Sequence, residues 1–528
     1  MTTLSALPAR THTWTTLLAR PDVVVDAGIL HLVHDDLAPH DARIADLLFV
    51  ADVLRDAGID TVLIRHSRFL PALVVGLDDA ERAFTALADA CGREPLYVKT
   101  KGAPPALVAD GAPFAQTPAT VRLYRPRITP SGSLRYGASL AAHVEFWRFG
   151  DETIEAPRDN TLTRRTTATA DVSFVEIERY GRTWRTISGM FDPQPQEVTE
   201  DVDIVFSWVD GSASEFQRQR AAQMAEYVVG EGDDGPARYR HVDELRYALR
   251  SVHMYAPWVR RIFIATDSPV PAWLDEHPKV TVVRSEEFFA DPEVLPTHNS
   301  HAVEAQLHRI PGLAEHFLYS NDDMFFGRLV EPEMFFTPGG VTKFVECDVR
   351  IGAGPTAVHR SGHDNGLRVN RALLAERFGR TIVRDLEHCA TPLRRSVMSE
   401  LEAAFPEDFA RTAASRFRSA TDISVTNSLY HYYAMMTGRA VSTRAPRVRY
   451  VQTTLARGLR QMDRLADGAD VDMFCLNDGG NAEVPEEVRV QTLRAALERM
   501  FPVRAPWERQ ELSAATSSVR AAHPVAQH

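Results

Sequence analysis

The sequence predicts an α/β protein: a mostly parallel sheet with helices on its faces in the second half, preceded by a separate α+β region. Three observations carry that prediction. From about residue 201, strand-like apolar runs alternate with helical stretches, which is the pattern of β-α units. Runs such as DIVFSWVDG (203–211) are apolar enough to read as buried strands. The stretch MFDPQPQEVTED (190–201), rich in Pro, Gln and acids, reads as a linker that divides the chain.

Taken in order, ARIADLLFVADVLRDAG (42–58) has helical periodicity and TVLIRH (61–66) reads as a strand. A second helix, DAERAFTALADACG (79–92), precedes the strand PLYVKT, and from about 118 to 190 the pattern turns strand-like. After the linker, DELRYALRSVHMYAP (243–257) is an amphipathic helix with Leu245, Leu249 and Val252 on one face and Pro257 as its stop. RIFIATD (261–267) and VTVVRS (280–285) are strands. NSHAVEAQLHRI (299–310) is a helix with Asn299 or Ser300 as N-cap and Pro311-Gly312 as terminator. The apolar run FLYSNDD follows, then mainly helical stretches at 392–419 and 424–438, and another apolar run in VDMFCLNDGG (471–480). Beyond about 505 the composition predicts a disordered tail. The expected divisions are 1–195, 196–505 and 506–528.

The chain of 528 residues, 44% hydrophobic and 25% charged, has the make-up of a soluble globular protein. A net charge of −12 argues against nucleic acid as the partner. Four scattered cysteines without a CxxC suggest neither a disulfide framework nor a thiolate zinc site, and fit a reducing compartment. There is no apolar leader at the N-terminus and no 18-residue apolar run, so a cytoplasmic location is expected, at most peripheral to the inner face of a membrane.

Chemistry gathers where strands end in acid: Asp210, Asp267, the adjacent Asp322 and Asp323, and Asn477-Asp478. In open α/β sheets ligands bind beyond the carboxyl ends of the strands, so topology would collect these groups at one rim. Strand-end aspartates also make Asx-turns or cap the next helix, and Asp267 fits that role better. Clustered carboxylates without Cys or His partners suit Mg²⁺ or Mn²⁺. At an effective dielectric of about 20, unit charges 4 Å apart interact by roughly 4 kcal/mol. A diphosphate is therefore compatible with such a rim only with a cation between them.

Arg246, Arg250 and Arg418 offer bidentate recognition of phosphate, although helical arginines commonly lie on solvated faces. His301 and His308 are seven residues apart on one predicted helix. His359 and His363 suggest zinc only weakly, with no HExxH or cysteine partner. His388, in DLEHCATPLRR, has the residue type of a general base.

In order, DVDIVFSWVDGS, DELRYALRSVHMYAPWVRRIFIATD, LPTHNSHAVEAQLHRIPGLAEHFLYSNDDMFFG, FPEDFARTAASRFRSATDIS and FCLNDG resemble the conserved regions of the Stealth family of sugar-1-phosphate transferases. The likeness spans about 201–480, with motifs at 201–212, 241–327, 388–440 and 471–480, and leaves 1–195 without a role. It implies a GT-A-like nucleotide-sugar fold and transfer of a hexose 1-phosphate, typically N-acetylglucosamine 1-phosphate, from a UDP-sugar to a glycan hydroxyl with release of UMP. Carried over by residue, it places Asp210, Arg246, Asn299 and His301 at the substrate, Asp322 and Asp323 at the metal, and Asp323, His388, Arg418 and Asp478 in catalysis. The flanks of His388 depart from the family pattern. The competing readings are a metal-dependent glycosyltransferase releasing UDP and a non-catalytic carbohydrate-binding protein. A capsule or other cell-surface polysaccharide is the expected product, and a homo-oligomer is compatible with the composition.

Overall fold

The structure, a computed structural model, describes residues 12–110, 119–211, 218, 242–468, 470–479 and 482–509. The first half builds two sheets of its own, with four and ten strands, and among the described residues no strand beyond Ile187 joins either. The helix Pro39–Asp56 and the strands Thr61–Ser67 and Leu70–Gly76 lie close to where periodicity puts them. Leu63, Leu73, Val75, Leu123 and Val144 form the centre of that core.

The Pro/Gln/acid stretch that reads as a linker is tied down. The buried Arg65 donates to the carbonyls of Met190 and Asp192 (2.7 and 2.6 Å) and to Glu197 Oε1 (2.6 Å). Val198 N in turn donates to Glu333 Oε1 at 2.7 Å. Composition favours extended chain here, and one buried guanidinium fixes that chain in place.

The second half is built on a five-stranded sheet. Its elements are β1 (Val202–Ser207), α1 (Glu244–Tyr255), β2 (Ile262–Ala265), β3 (Val280–Val283), α2 (Ser300–Glu304), β4 (His316–Asn321), β5 (Met324–Phe326), β6 (Thr342–Arg350), α3 (Gly362–Phe378), β7 (Arg384–Leu386), β8 (Thr391–Arg394), α4 (Arg395–Ala404), α5 (Pro406–Ala414), α6 (Tyr430–Met436), β9 (Ala440–Thr443), β10 (Val448–Gln452), α7 (Ala456–Ala466), β11 (Met473–Asn477) and α8 (Glu486–Met500). The central order is β3-β2-β1-β4-β8, parallel except for β8 at one edge. Residues alternate across it: Ile204, Phe206, Ile264 and Leu318 pack into one core, and Val205, Phe263, Phe317 and Tyr319 into the other. A parallel sheet covered on both faces needs apolar side chains on both, which is why Ile204, Val205 and Phe206 follow one another without a polar residue. Two three-stranded sheets flank it, β5-β11-β10 and β7-β6-β9.

Three expectations need correction. The predicted helix 299–310 is a five-residue helix followed by a separate 3-10 turn (Leu307–Arg309), so His301 and His308 share no helix face. The break falls at Gln306, whose Oε1 accepts from Ala290 N at 2.9 Å. The stretch 392–419 opens as strand β8, because Leu393 pairs with Phe317 and is fully buried, and only then becomes α4 and α5. The tail does not start at 506: Trp507 is 1% exposed, and Glu508 accepts from Arg250 Nε (2.6 Å) and Arg246 Nε (2.7 Å). Burial opposes ionisation of Glu508, but the Arg250 guanidinium outweighs it and holds the carboxyl below its ordinary range. Residues 510–528 lie outside the described residues.

The Glu508 anchor is testable. Glu508→Ala strands the buried Arg250 charge and is expected to cost about 3–5 kcal/mol, read as a lower urea midpoint by tryptophan fluorescence. An unchanged midpoint would contradict it.

Candidate functional site

Register assembles the site. Ser207, the last residue of β1, pairs with Ala265 at the end of β2 and with Asn321 at the end of β4. The loops that follow, with Asp210, Asp267 and Asp322-Asp323, therefore leave the sheet at one edge. Asp210 N donates to Ser268 Oγ at 2.9 Å, which joins the first two loops. Asp267 Oδ1 accepts from Ser285 N at 2.9 Å, so this aspartate caps the start of the next helical turn, the role its strand-end position fits.

Asp322 and Asp323, both half-buried, form the turn by which the chain leaves the central sheet and enters β5. There it joins β11, with Met324 opposite Cys475, and the Asp323 carbonyl accepts from Leu476 N at 2.9 Å. This pairing draws the end of β11, and with it Asp478, toward the two aspartates. Asp323 Oδ2 lies 3.5 Å from Cys475 Sγ. Burial pushes that thiol well up, and the charges of Asp323 and Asp322 push it further. Asp478 accepts from Thr453 Oγ1 and, at 3.5 Å, from Arg489 Nη1, so its charge is partly matched.

A second cluster lies beside this rim. The Tyr319 hydroxyl is 2.8 Å from both Ser207 Oγ and Asn321 Oδ1, and 3.4 Å from Glu304 Oε1. Glu304 is buried, and its Oε2 accepts from Thr426 Oγ1 at 2.6 Å. Burial raises its carboxyl, while Thr426 and the nearby Arg418 charge work the other way. Arg418 Nη2 donates to Ser300 Oγ at 2.9 Å, at the first residue of α2. Gly362 opens α3 and leaves room for this side chain: a Cβ there would fall 2.6 Å from Arg418 Cδ.

His388 completes the cluster, with its ring 6.0 Å from that of His363 and 5.2 Å from that of Tyr450. Burial, reinforced by His363, pushes His388 down to about 4, so its imidazole is neutral at pH 7. His363 Nε2 lies 2.8 Å from Asp385 Oδ2. Here burial opposes the imidazolium, but the Asp385 hydrogen bond and charge outweigh it and raise His363 above its ordinary value. His359, weighed with His363 for zinc, is exposed, and among the described residues no group of three or more His, Cys, Asp or Glu could hold a metal ion.

Three residues expected at the substrate are engaged within the protein. Arg246, half-buried, is paired to Glu508. Asn299 is the N-cap of α2, and its amide donates to Asp422 Oδ2 (2.8 Å) and the Ser415 carbonyl (3.1 Å). His301 is fully buried, with its ring edge close enough to α3 that a Cβ on Gly366 would lie 3.4 Å from it. As folded here, Asn299 supports the segment that carries Arg418, through the carbonyls of Ser415 and Phe417. The residues that sequence reasoning passed over are Ser300, Glu304, Tyr319 and Asp385. Each is an ordinary residue type in an ordinary element, and only the tertiary structure brings the first three to Arg418 and Asp385 to His363.

Asn299→Ala removes a cap, worth about 1 kcal/mol, and leaves buried Asp422 short of a donor, worth about 1–3 kcal/mol. A lower unfolding midpoint and faster proteolysis within 415–422 are expected. A midpoint equal to wild type would contradict the supporting role.

Comparison with known proteins follows the same segments. Models of Stealth conserved regions 2, 3 and 4 match residues 238–344, 387–435 and 463–517. These contain Asn299 through Asp323, His388 with Arg418, and Asp478 respectively. The exopolysaccharide phosphotransferase CpsY of Mycobacterium tuberculosis is 52% identical over 493 residues, covering 93% of this chain and 92% of that one. An exopolysaccharide phosphotransferase of Nocardia farcinica is 52% identical over 479 residues (90% and 89%), and SCO6023 of Streptomyces coelicolor is 38% identical over 504 (92% and 85%). That coverage takes in most of residues 1–195. Among solved structures, the galactosyltransferase LgtC aligns with 57% of this chain and 96% of its own at 11% identity and a TM-score of 0.29, too slight a likeness to bear on the fold. With full-length relatives at half identity and the family's regions in their places along the site, this chain belongs to the Stealth family of phosphotransferases.

Proposed function

We propose that the enzyme transfers a hexose 1-phosphate, N-acetylglucosamine 1-phosphate being the first to test, from a UDP-sugar to a glycan hydroxyl, forming a phosphodiester and releasing UMP during exopolysaccharide synthesis. The observation that supports this most is the pairing of an acidic rim with a cationic pocket at one edge of the sheet. Asp322 and Asp323 leave β4 where Asn321 meets Tyr319, and Tyr319 meets the Glu304 and Arg418 cluster. A GT-A-like role for this sheet goes with the same reading.

The donor set suits a hard cation. Asp322 and Asp323 offer oxygen ligands on a half-exposed turn, and Mg²⁺ is commonly held by one or two carboxylates together with substrate phosphates and water. Mg²⁺ or Mn²⁺ held by Asp322 and Asp323 would supply Lewis-acid stabilisation to the diphosphate and to the charge developing on departing UMP. Arg418, oriented by Ser300, supplies fixed positive charge to the transferring phosphoryl group. Neutral His388 lines the pocket without competing for that charge. Asp210, joined to the neighbouring loop through Ser268, is assigned to the nucleotide in this reading.

In this reading, UDP-N-acetylglucosamine with Mg²⁺ gives UMP, and Asp323→Asn lowers its release by about 100-fold or more, since several kcal/mol of charge stabilisation is lost. Near-normal UMP release by Asp323→Asn would overturn the metal assignment. UDP as the nucleotide product would indicate a glycosyltransferase, and binding without turnover a carbohydrate-binding protein.

A further inference from the structure

We propose that His363, oriented by Asp385, is the general base that takes the proton from the acceptor hydroxyl. Both residues lie between the matched family regions, in 345–386. The inference rests on the phosphoryl-transfer reading above.

The geometry is that of an imidazole held for proton transfer. An ionised carboxylate only accepts, so the 2.8 Å contact to Asp385 Oδ2 places the Nε2 proton on His363. That fixes the tautomer and leaves Nδ1 as the basic atom. Nδ1 has no hydrogen-bond partner among the described residues, and the side chain is 31% exposed against 11% for Asp385. The ring is thus more open to solvent than the carboxylate that holds it, the arrangement by which an acid orients a histidine for catalysis. The ring sits at the start of α3, where Gly362 packs on Arg418, so the base and the phosphate-binding cation share one pocket.

The charged groups facing His363 are Asp385 on β7, Arg418 after α5, Glu304 on α2, and the neighbouring His388. Burial is the largest influence and opposes protonation, but the hydrogen bond and charge of Asp385 together outweigh it and raise His363 above its ordinary value. His388 has no carboxylate bonded to it and falls to about 4. Between the two, His363 is the base matched to neutral pH. In the step, the acceptor O–H proton passes to Nδ1 as the oxygen attacks the β-phosphorus. The P–O bond to UMP breaks, and its electron pair leaves with UMP. Asp385 stabilises the imidazolium, which then gives its proton to solvent.

The test uses the full chain with UDP-N-acetylglucosamine as donor, chitotriose as hydroxyl acceptor, and UMP release measured from about pH 5 to 9. A base acts unprotonated, so kcat/KM should rise with pH through a midpoint above 6.5. Asp385→Asn removes the stabilising charge and should move that midpoint down, while His388→Gln leaves it in place. His363→Gln should lower kcat by about 10²–10⁴-fold. Independently of substrate, diethyl pyrocarbonate labelling followed by mass spectrometry should modify His363 with the same midpoint, shifted down in Asp385→Asn. A labelling midpoint below 6.5, a midpoint abolished by His388→Gln, or His363→Gln within about threefold of wild type would overturn the assignment. Any of these with UMP still released leaves the phosphotransferase reading standing. UDP release removes that reading instead.

Discussion

Parallel pairing of β1 with both β2 and β4 is the constraint on which the rest depends. Ser207 is in register with Ala265 on one side and Asn321 on the other, so three chain segments reach one edge together. The register is enforced by burial on both faces. Shifting one strand by a residue would turn Ile204 and Phe206 out of one core and Val205 into it. The positions of the carboxylates at the rim thus follow from apolar packing several residues upstream of them.

Charge is then sorted by depth. Deep ionic groups are matched within the protein: Arg250 and Arg246 by Glu508, Asp203 by the more exposed Arg260, and Arg65 by Glu197 together with two carbonyls. Such pairs cost desolvation and hold segments in place, which explains how 190–198 and 505–508 come to be structured. Closer to solvent, Asp322 and Asp323 lie on a half-exposed turn, and the His363–Asp385 pair opens on one side. A polyanionic donor needs both kinds of group: acids that a cation can bridge to phosphate, and fixed positive charge at the transferring phosphorus.

How much of this could be read in the sequence depends on how local each signal is. The strands, the amphipathic α1 and the acid rim follow from continuous runs and their ends, and these features survive folding unchanged. The capping role of Asn299 is equally local. The misread stretches are those where composition and tertiary contact disagree. A Pro/Gln/acid stretch became fixed coil because Arg65 reaches it. A tail-like segment became core because Trp507 has an apolar site to fill. His363 and Asp385 are 22 residues apart, and Glu304 and Thr426 are 122 apart, so no spacing rule could pair them. The substrate-contact expectations for Asn299 and His301 came with their motif. Both side chains are buried, and that of Asn299 holds Asp422 and the Ser415 carbonyl.

The central claim is that the sugar leaves with its phosphorus attached. A UDP-sugar labelled with ³²P at the β position separates this from glycosyl transfer directly. The account predicts that the label is recovered in the glycan, in alkali-labile phosphodiester form, with unlabelled UMP as the nucleotide product. Label recovered in UDP, with a phosphorus-free glycan, would contradict it.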